Sequence, residues 1–215
     1  MPTFFNRKDA KTRRSLFLAV ILLSISLSGF GQDPNARPAF QFFDKTEAGI
    51  GIGLGSFKTD IIRGYQMKTK NDQIIIPVQT IVGVCISGRA GLGIGGGVEF
   101  WQKGRFYPVF FHFYYDLMKS DHTPFAYINL GEAYGKRDSS TYYDKGKGGF
   151  LFNIGAGYKM RIGKRFQFEY EIFYRYQAIQ SRYRNYYDTV PTHFMTTDYK
   201  VPYHFAGFRI GVIFR

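Results

Sequence analysis

The chain of 215 residues has a single cysteine, Cys85, so no disulfide can form within it. That thiol lies among Val82, Val84 and Ile86 and reads as a small strand residue. Histidine is scarce too: His112, His122, His193 and His204 are scattered, and none shows metal-ligand spacing such as His-x-x-x-His. No stretch after residue 31 approaches the roughly eighteen consecutive apolar residues of a transmembrane helix, so any membrane residence must come from strands. Acidic residues are few, 16 against 29 Lys and Arg, which gives a formal net charge of +13. What is abundant is aromatic (19%) and glycine (25 residues), a composition that excludes disorder.

The N-terminus reads as a signal peptide over residues 1–31. Arg7, Lys8, Lys11, Arg13 and Arg14 make a basic start, and Leu16 to Leu27 an apolar run too short to span. Gly29-Phe30-Gly31 then places small residues where a signal peptidase reads, with cleavage before Gln32. The Thr12-Arg13-Arg14-Ser15-Leu16 stretch hints at a twin-arginine signal, but that route carries folded cargo and the chain that follows must cross unfolded. No cysteine stands at the cleavage site to accept a lipid. Residues 32–46, with Pro34 and Pro38 and no clear period, read as an N-terminal arm, and residues 47–215 as one barrel domain.

The most regular stretch is Arg165 to Gln177. Phe166, Phe168, Tyr170, Ile172, Tyr174 and Tyr176 alternate with Arg165, Gln167, Glu169, Glu171, Arg175 and Gln177, and Phe173 is the one apolar residue on the charged parity. A period of two over that length is a strand, longer than soluble sheets use and enough to cross a bilayer at a tilt. The pattern recurs. Ala48 to Leu54 alternates with glycines, as does Leu92 to Phe100, while Ile76–Ile86, Tyr107–Leu117, Phe125–Tyr134, Phe150–Arg161 and Phe205–Phe214 carry one apolar face each. Glu132 falls on the apolar parity, which predicts a bulge or the strand's exit from lipid there. Eight strands put both chain ends on one side. The connections Phe57–Gln73, Lys136–Gly148 and Ser181–Asp198 read as long outer loops. Ser87-Gly88-Arg89, Lys119–Thr123 and Gly163-Lys164 read as short periplasmic ones, and Lys103-Gly104 as a short outer turn.

Volume decides which face points out. An eight-stranded interior barely accommodates ordinary side chains, so the Phe- and Tyr-rich faces belong outside and the glycine rows inside. Inward glycines leave room for Phe110, Tyr114 and Phe173. The lipid-facing set is then Phe111, Phe113, Phe152, Phe166, Phe168, Tyr170, Ile172, Phe208, Ile210, Val212 and Phe214. The inward set is Glu99, His112, Asp116, Lys159, Arg161, Glu169, Glu171, Arg175 and Arg209. Mixed charges in a narrow, lipid-shielded lumen must pair, which predicts a salt-bridge plug in place of an open channel.

Residues Thr80–Gly135, with ISGRAGLGIGGGVEFW, YPVFFHFYYDL and TPFAYINLGEAYG, carry a resemblance to the small outer-membrane β-barrel proteins of the Bacteroidota. The likeness is to eight-stranded OmpA/OmpX-like or PorT-like barrel domains. It implies a porin-like Gram-negative cell-envelope protein in the outer membrane. Those relatives often carry an acidic residue and an arginine where this chain has His112 and Tyr114. Phe214 followed by Arg215 resembles the terminal aromatic signal read by the barrel-assembly machinery, which the resemblance implies as a partner.

For chemistry, Ser181, Asp188 and His193 in one outer loop are the best candidates for a lipid hydrolase, at a spacing that matches no known family. The Gly91-x-Gly93-x-Gly95-Gly96 run is not a dinucleotide fingerprint, since its glycines alternate within a strand and no helix follows. Loop cations such as Lys58, Arg63, Lys68, Lys136 and Arg182 suit outer-membrane lipids and lipopolysaccharide, not nucleic acid. The expectation is a monomeric, cofactor-free and non-enzymatic barrel serving envelope integrity or surface binding. The alternatives are an enzyme acting on outer-leaflet lipid and an accessory barrel of a secretion system.

Overall fold

The computed structural model describes residues 40–62, 65–86, 88–102, 104–137, 143–163, 165–186 and 194–215. The signal peptide expected at 1–31 lies outside them. Eleven strands follow in order: β1 Phe40–Leu54, β2 Ser56–Ile62, β3 Tyr65–Lys70, β4 Ile74–Ile86, β5 Ala90–Trp101, β6 Gly104–Asp116, β7 His122–Arg137, β8 Tyr143–Lys147, β9 Gly149–Arg161, β10 Phe166–Tyr186 and β11 Phe194–Phe214. The wall is β1, β4, β5, β6, β7, β9, β10 and β11, each antiparallel to its neighbours, and pairing of β11 with both β10 and β1 closes it. Closure removes both sheet edges, which a membrane requires.

The register fixes the barrel's geometry. Partners followed from His204 run through Tyr176, Phe152, Leu130, Phe111, Ile94, Val82 and Asp44 and return to β11 at Phe214, ten residues further along. That stagger obliges the strands to tilt by about 40° to the axis. The rim holding Phe40 and Phe214 is called lower here, and the opposite rim upper.

Two expectations are corrected. The arm expected at 32–46 is a strand from Phe40 onward, pairing with β4 from Phe40↔Ile86. Its Phe43, Lys45 and Glu47 continue the inward parity of the β1 glycines, and all three are buried. The long loops are also largely strand. β2 and β3 form a hairpin, β8 pairs with β10, and β10 and β11 run on as a ladder to Tyr186↔Phe194. The sequence of these segments shows no continuous apolar period, so nothing in it marks them as strand. Of the bulge or lipid exit expected at Glu132, the bulge is absent: the register runs unbroken from Gly131 to Ala133, and Glu132 stands exposed on the wall's exterior.

Among the tight turns, Gly88 has φ +70° and Gly55 φ +73°, left-handed values that glycine adopts without penalty. Inside, a side chain on Gly91 would overlap the Tyr114 ring, and one on Gly95 the Phe110 ring. The glycine rows are therefore the space into which the lumen's aromatics fit.

Candidate functional site: a closed lumen inside an apolar wall

The exterior is apolar over most of its height. Phe111 is 70% exposed and Ile172 67%. Phe113, Phe166, Tyr170, Phe208, Ile210, Val212 and Phe214 are exposed too, and Phe152 and Phe168 are half-buried on the same face. Such a surface is incompatible with water and fits hydrocarbon. Tyrosines gather at its two ends. Tyr107 pairs with Tyr134 towards the upper rim, and Tyr158 stacks on Tyr170, ring centroids 6.0 Å apart, towards the lower. Three pairs of polar groups on the exterior satisfy one another. Tyr134 donates to Glu132 at 2.7 Å, the Thr46 and Thr80 hydroxyls lie 3.1 Å apart, and the Tyr174 hydroxyl meets His204 Nδ1 at 2.7 Å.

The lumen is filled in layers. At the upper end Trp101 packs on Phe106, Tyr203 and Phe205 at centroid distances of 4.8, 5.3 and 4.9 Å. Phe57, from the β2–β3 hairpin, covers Tyr203 at 5.0 Å. The hairpin is held over the mouth by Asn71, whose Nδ2 donates to the His204 carbonyl at 2.7 Å. Just below, Arg175 pairs with Glu99.

The middle layer is ionic. Lys45 Nζ lies 2.5 Å from Glu47 and 3.2 Å from Glu171, and also pairs with Glu169. Arg209 answers from the other side, to Glu47 at 2.7 Å and Glu171 at 2.5 Å, and donates to the Tyr127 hydroxyl. Its guanidinium also faces the Phe173 ring, 4.7 Å from the centroid. The register explains the gathering. Arg209 pairs across strands with Glu171 on β10, and Glu47 and Glu169 flank Gly211 from β1 and β10. Gly211 carries no side chain, and this is where the carboxylates converge.

At the lower end Lys159 pairs with Asp116 at 2.6 Å, its ammonium 3.6 Å from the Tyr114 centroid. Arg215 reaches the Tyr114 hydroxyl at 3.3 Å and stands 3.8 Å from Asp116. His112 bonds Asn129 at 2.6 Å through Nδ1. Among the described residues, five carboxylates are buried in the lumen (Glu47, Glu99, Asp116, Glu169, Glu171) against four cations (Lys45, Lys159, Arg175, Arg209), and the half-buried Arg215 brings the count level. A pocket between Phe43, Lys45, His112 and Lys159 has room for about one water.

Eight of the nine inward residues expected from the sequence are buried together. Arg161 is the exception: it sits at the lower rim, its side chain 43% exposed, paired with Asp121 at 2.7 Å. The strand ends there, so parity no longer implies enclosure. Lys45, Glu47, Gln79 and Tyr127 complete the network; the reading of residues 32–46 as an arm hid Lys45, and the first strand was read only from Ala48, which left out Glu47. Their signal was the parity shared by Phe43, Lys45, Glu47 and Gly49.

Glu47, Glu169 and Glu171 offer oxygens within 4.8 Å of one another, a spacing that could hold a cation. The Lys45 ammonium pairs with all three carboxylates and so already stands as the cation among them. Of the hydrolase candidates, Asp188 and His193 lie outside the described residues, as does the side chain of Ser181.

An apolar exterior, a closed wall and a lumen packed with paired charges define a membrane-spanning β-barrel without an open channel. Its fold is that of the eight-stranded outer-membrane barrels. It is similar to OprG of Pseudomonas aeruginosa, with TM-score 0.51 and 11% identity over 79% of this chain and 95% of that one. Neisserial surface protein A gives TM-score 0.48 and 10% identity over 82% and 97%, and AlkL in lipid bilayers 0.47 and 11% over 86% and 97%. At these identities the likeness to OprG speaks for the fold alone. No family model and no curated protein matches the chain.

Proposed function

We propose that this chain is a monomeric, non-enzymatic outer-membrane barrel of a Gram-negative, Bacteroidota-type envelope. It serves as a closed membrane anchor that holds a β-structured surface above the outer leaflet. The lower rim then faces the periplasm and the upper rim the outside. One observation carries the reading: among the described residues, wall side chains fill the lumen from Trp101 to Arg215. A barrel closed in this way works through its exterior. The part built for that is the projection of β10 and β11, whose ladder continues from Ala178↔Pro202 to Tyr186↔Phe194 beyond the last pairing of β11 with β1 at Leu54↔His204. The same surface suits envelope integrity or binding of a partner from outside.

The test is complementation of a deletion strain, read as leakage of a large antibiotic across the outer membrane. Wild-type protein restores the barrier. A version in which residues 179–201 are replaced by a tight turn inserts but fails to restore it. Full restoration by the shortened barrel would overturn the surface role.

A further inference from the structure

The two rims of the apolar wall differ in one respect. Outward strand positions at the lower rim carry Phe42, Tyr115, Tyr158, Phe166 and Phe214, while Arg161 and Arg165, exposed cations of that rim, fall on the inward parity at strand ends. At the upper rim Arg105 occupies an outward position directly above Tyr107, with the buried Phe106 between them facing the lumen. The residue is exposed, and its guanidinium lies over the Phe100 ring on the neighbouring strand, 5.6 Å from the centroid. The register sets Arg105 opposite Phe100 on one side and Lys136 on the other, one row above the Tyr107–Tyr134 pair. Among the described residues no carboxylate pairs with Arg105. Glu132, lower on the same wall, sits two residues below Tyr134 and accepts that residue's hydroxyl.

We infer that Arg105 forms a docking ledge for the phosphate of an anionic glycolipid in the outer leaflet. Acyl chains would lie on Val109 and Phe111 beneath it. A cation held against an aromatic at the level of the tyrosine belt stands where lipid phosphates lie, whereas a lumenal or loop-tip cation does not. Arginine suits the task because its planar fork meets two phosphate oxygens at once. This inference rests on the outer-membrane reading above.

The experiment refolds the full chain into phosphatidylcholine vesicles containing either bisphosphorylated lipid A or the same lipid stripped of phosphate. The lipid retained per barrel is then counted by native mass spectrometry, with insertion checked by the gel shift between boiled and unboiled samples. The phosphorylated lipid is expected to be retained preferentially. R105S should weaken retention roughly fivefold at low salt. Equal retention of both lipids by an inserted barrel, or an R105S variant that retains as well as wild type, would overturn the ledge and leave the membrane reading intact. Failure of the wild type to insert would instead strike the membrane reading itself. Displacement of the lipid by millimolar inorganic phosphate would assign the site to free phosphate and overturn the lipid assignment.

Discussion

The lumen is closed twice, by different physics. Near the upper rim Trp101, Phe106, Tyr203 and Phe205 form an aromatic stopper whose members depend on shape. In the middle, Lys45 and Arg209 hold three carboxylates whose members depend on one another's charge. Trimming the first leaves a gap that neighbours partly fill, so the cost scales with the volume lost. Removing one cation from the second leaves a buried carboxylate uncompensated, and no repacking repairs that. The barrel is therefore expected to be brittle at its centre and forgiving at its mouth.

The sharpest way to break the comparison is Arg209→Met. It deprives Glu47 and Glu171 of their second cation and should destabilise the barrel by about 3–5 kcal/mol, read as a shift in urea unfolding of vesicle-inserted protein. An intermediate loss of about 2–4 kcal/mol is expected for Phe111→Arg, which sets a charge on the lipid-facing wall mid-strand. A detergent-solubilised sample would show less of that loss, because a micelle deforms around the charge. Phe205→Leu, a partial trimming of the stopper, should cost only about 1–2 kcal/mol in the same assay. Least of all, Arg161→Ala should change stability by less than about 0.5 kcal/mol, since its partner Asp121 is exposed as well. A loss from Arg161→Ala as large as that from Arg209→Met would show that the rim belongs to the network after all.

How much of this was legible in the sequence follows from the period of two. Wherever one face is apolar and the other is not, as from Phe166 to Tyr176, alternation gives strand and face in one reading. It also gives most of the lumen, since an inward position in a narrow barrel has nowhere else to go. The reading stops where the physics that writes the pattern stops. Above the wall no lipid imposes an apolar face, so the β2–β3 hairpin and the upper parts of β10 and β11 look like loops. Lys45 and Glu47 were obscured for a related reason. They lie in the lower half of β1, where the charged lumen replaces the glycine row that marks the upper half. The pairing partners were not legible at all, because Glu47, Glu169 and Arg209 meet only through the ten-residue stagger of the closed barrel.

The two layers together make one claim, that the lumen is shut. Purified, heat-shifted wild-type protein inserted into a planar bilayer tests it directly. The account predicts a flat current with no stepwise openings under applied voltage, at neutral pH and moderate salt. Discrete, reproducible conductance steps from single insertions would contradict it, since an ion path would then have to pass both the Trp101 stopper and the Lys45–Arg209 layer.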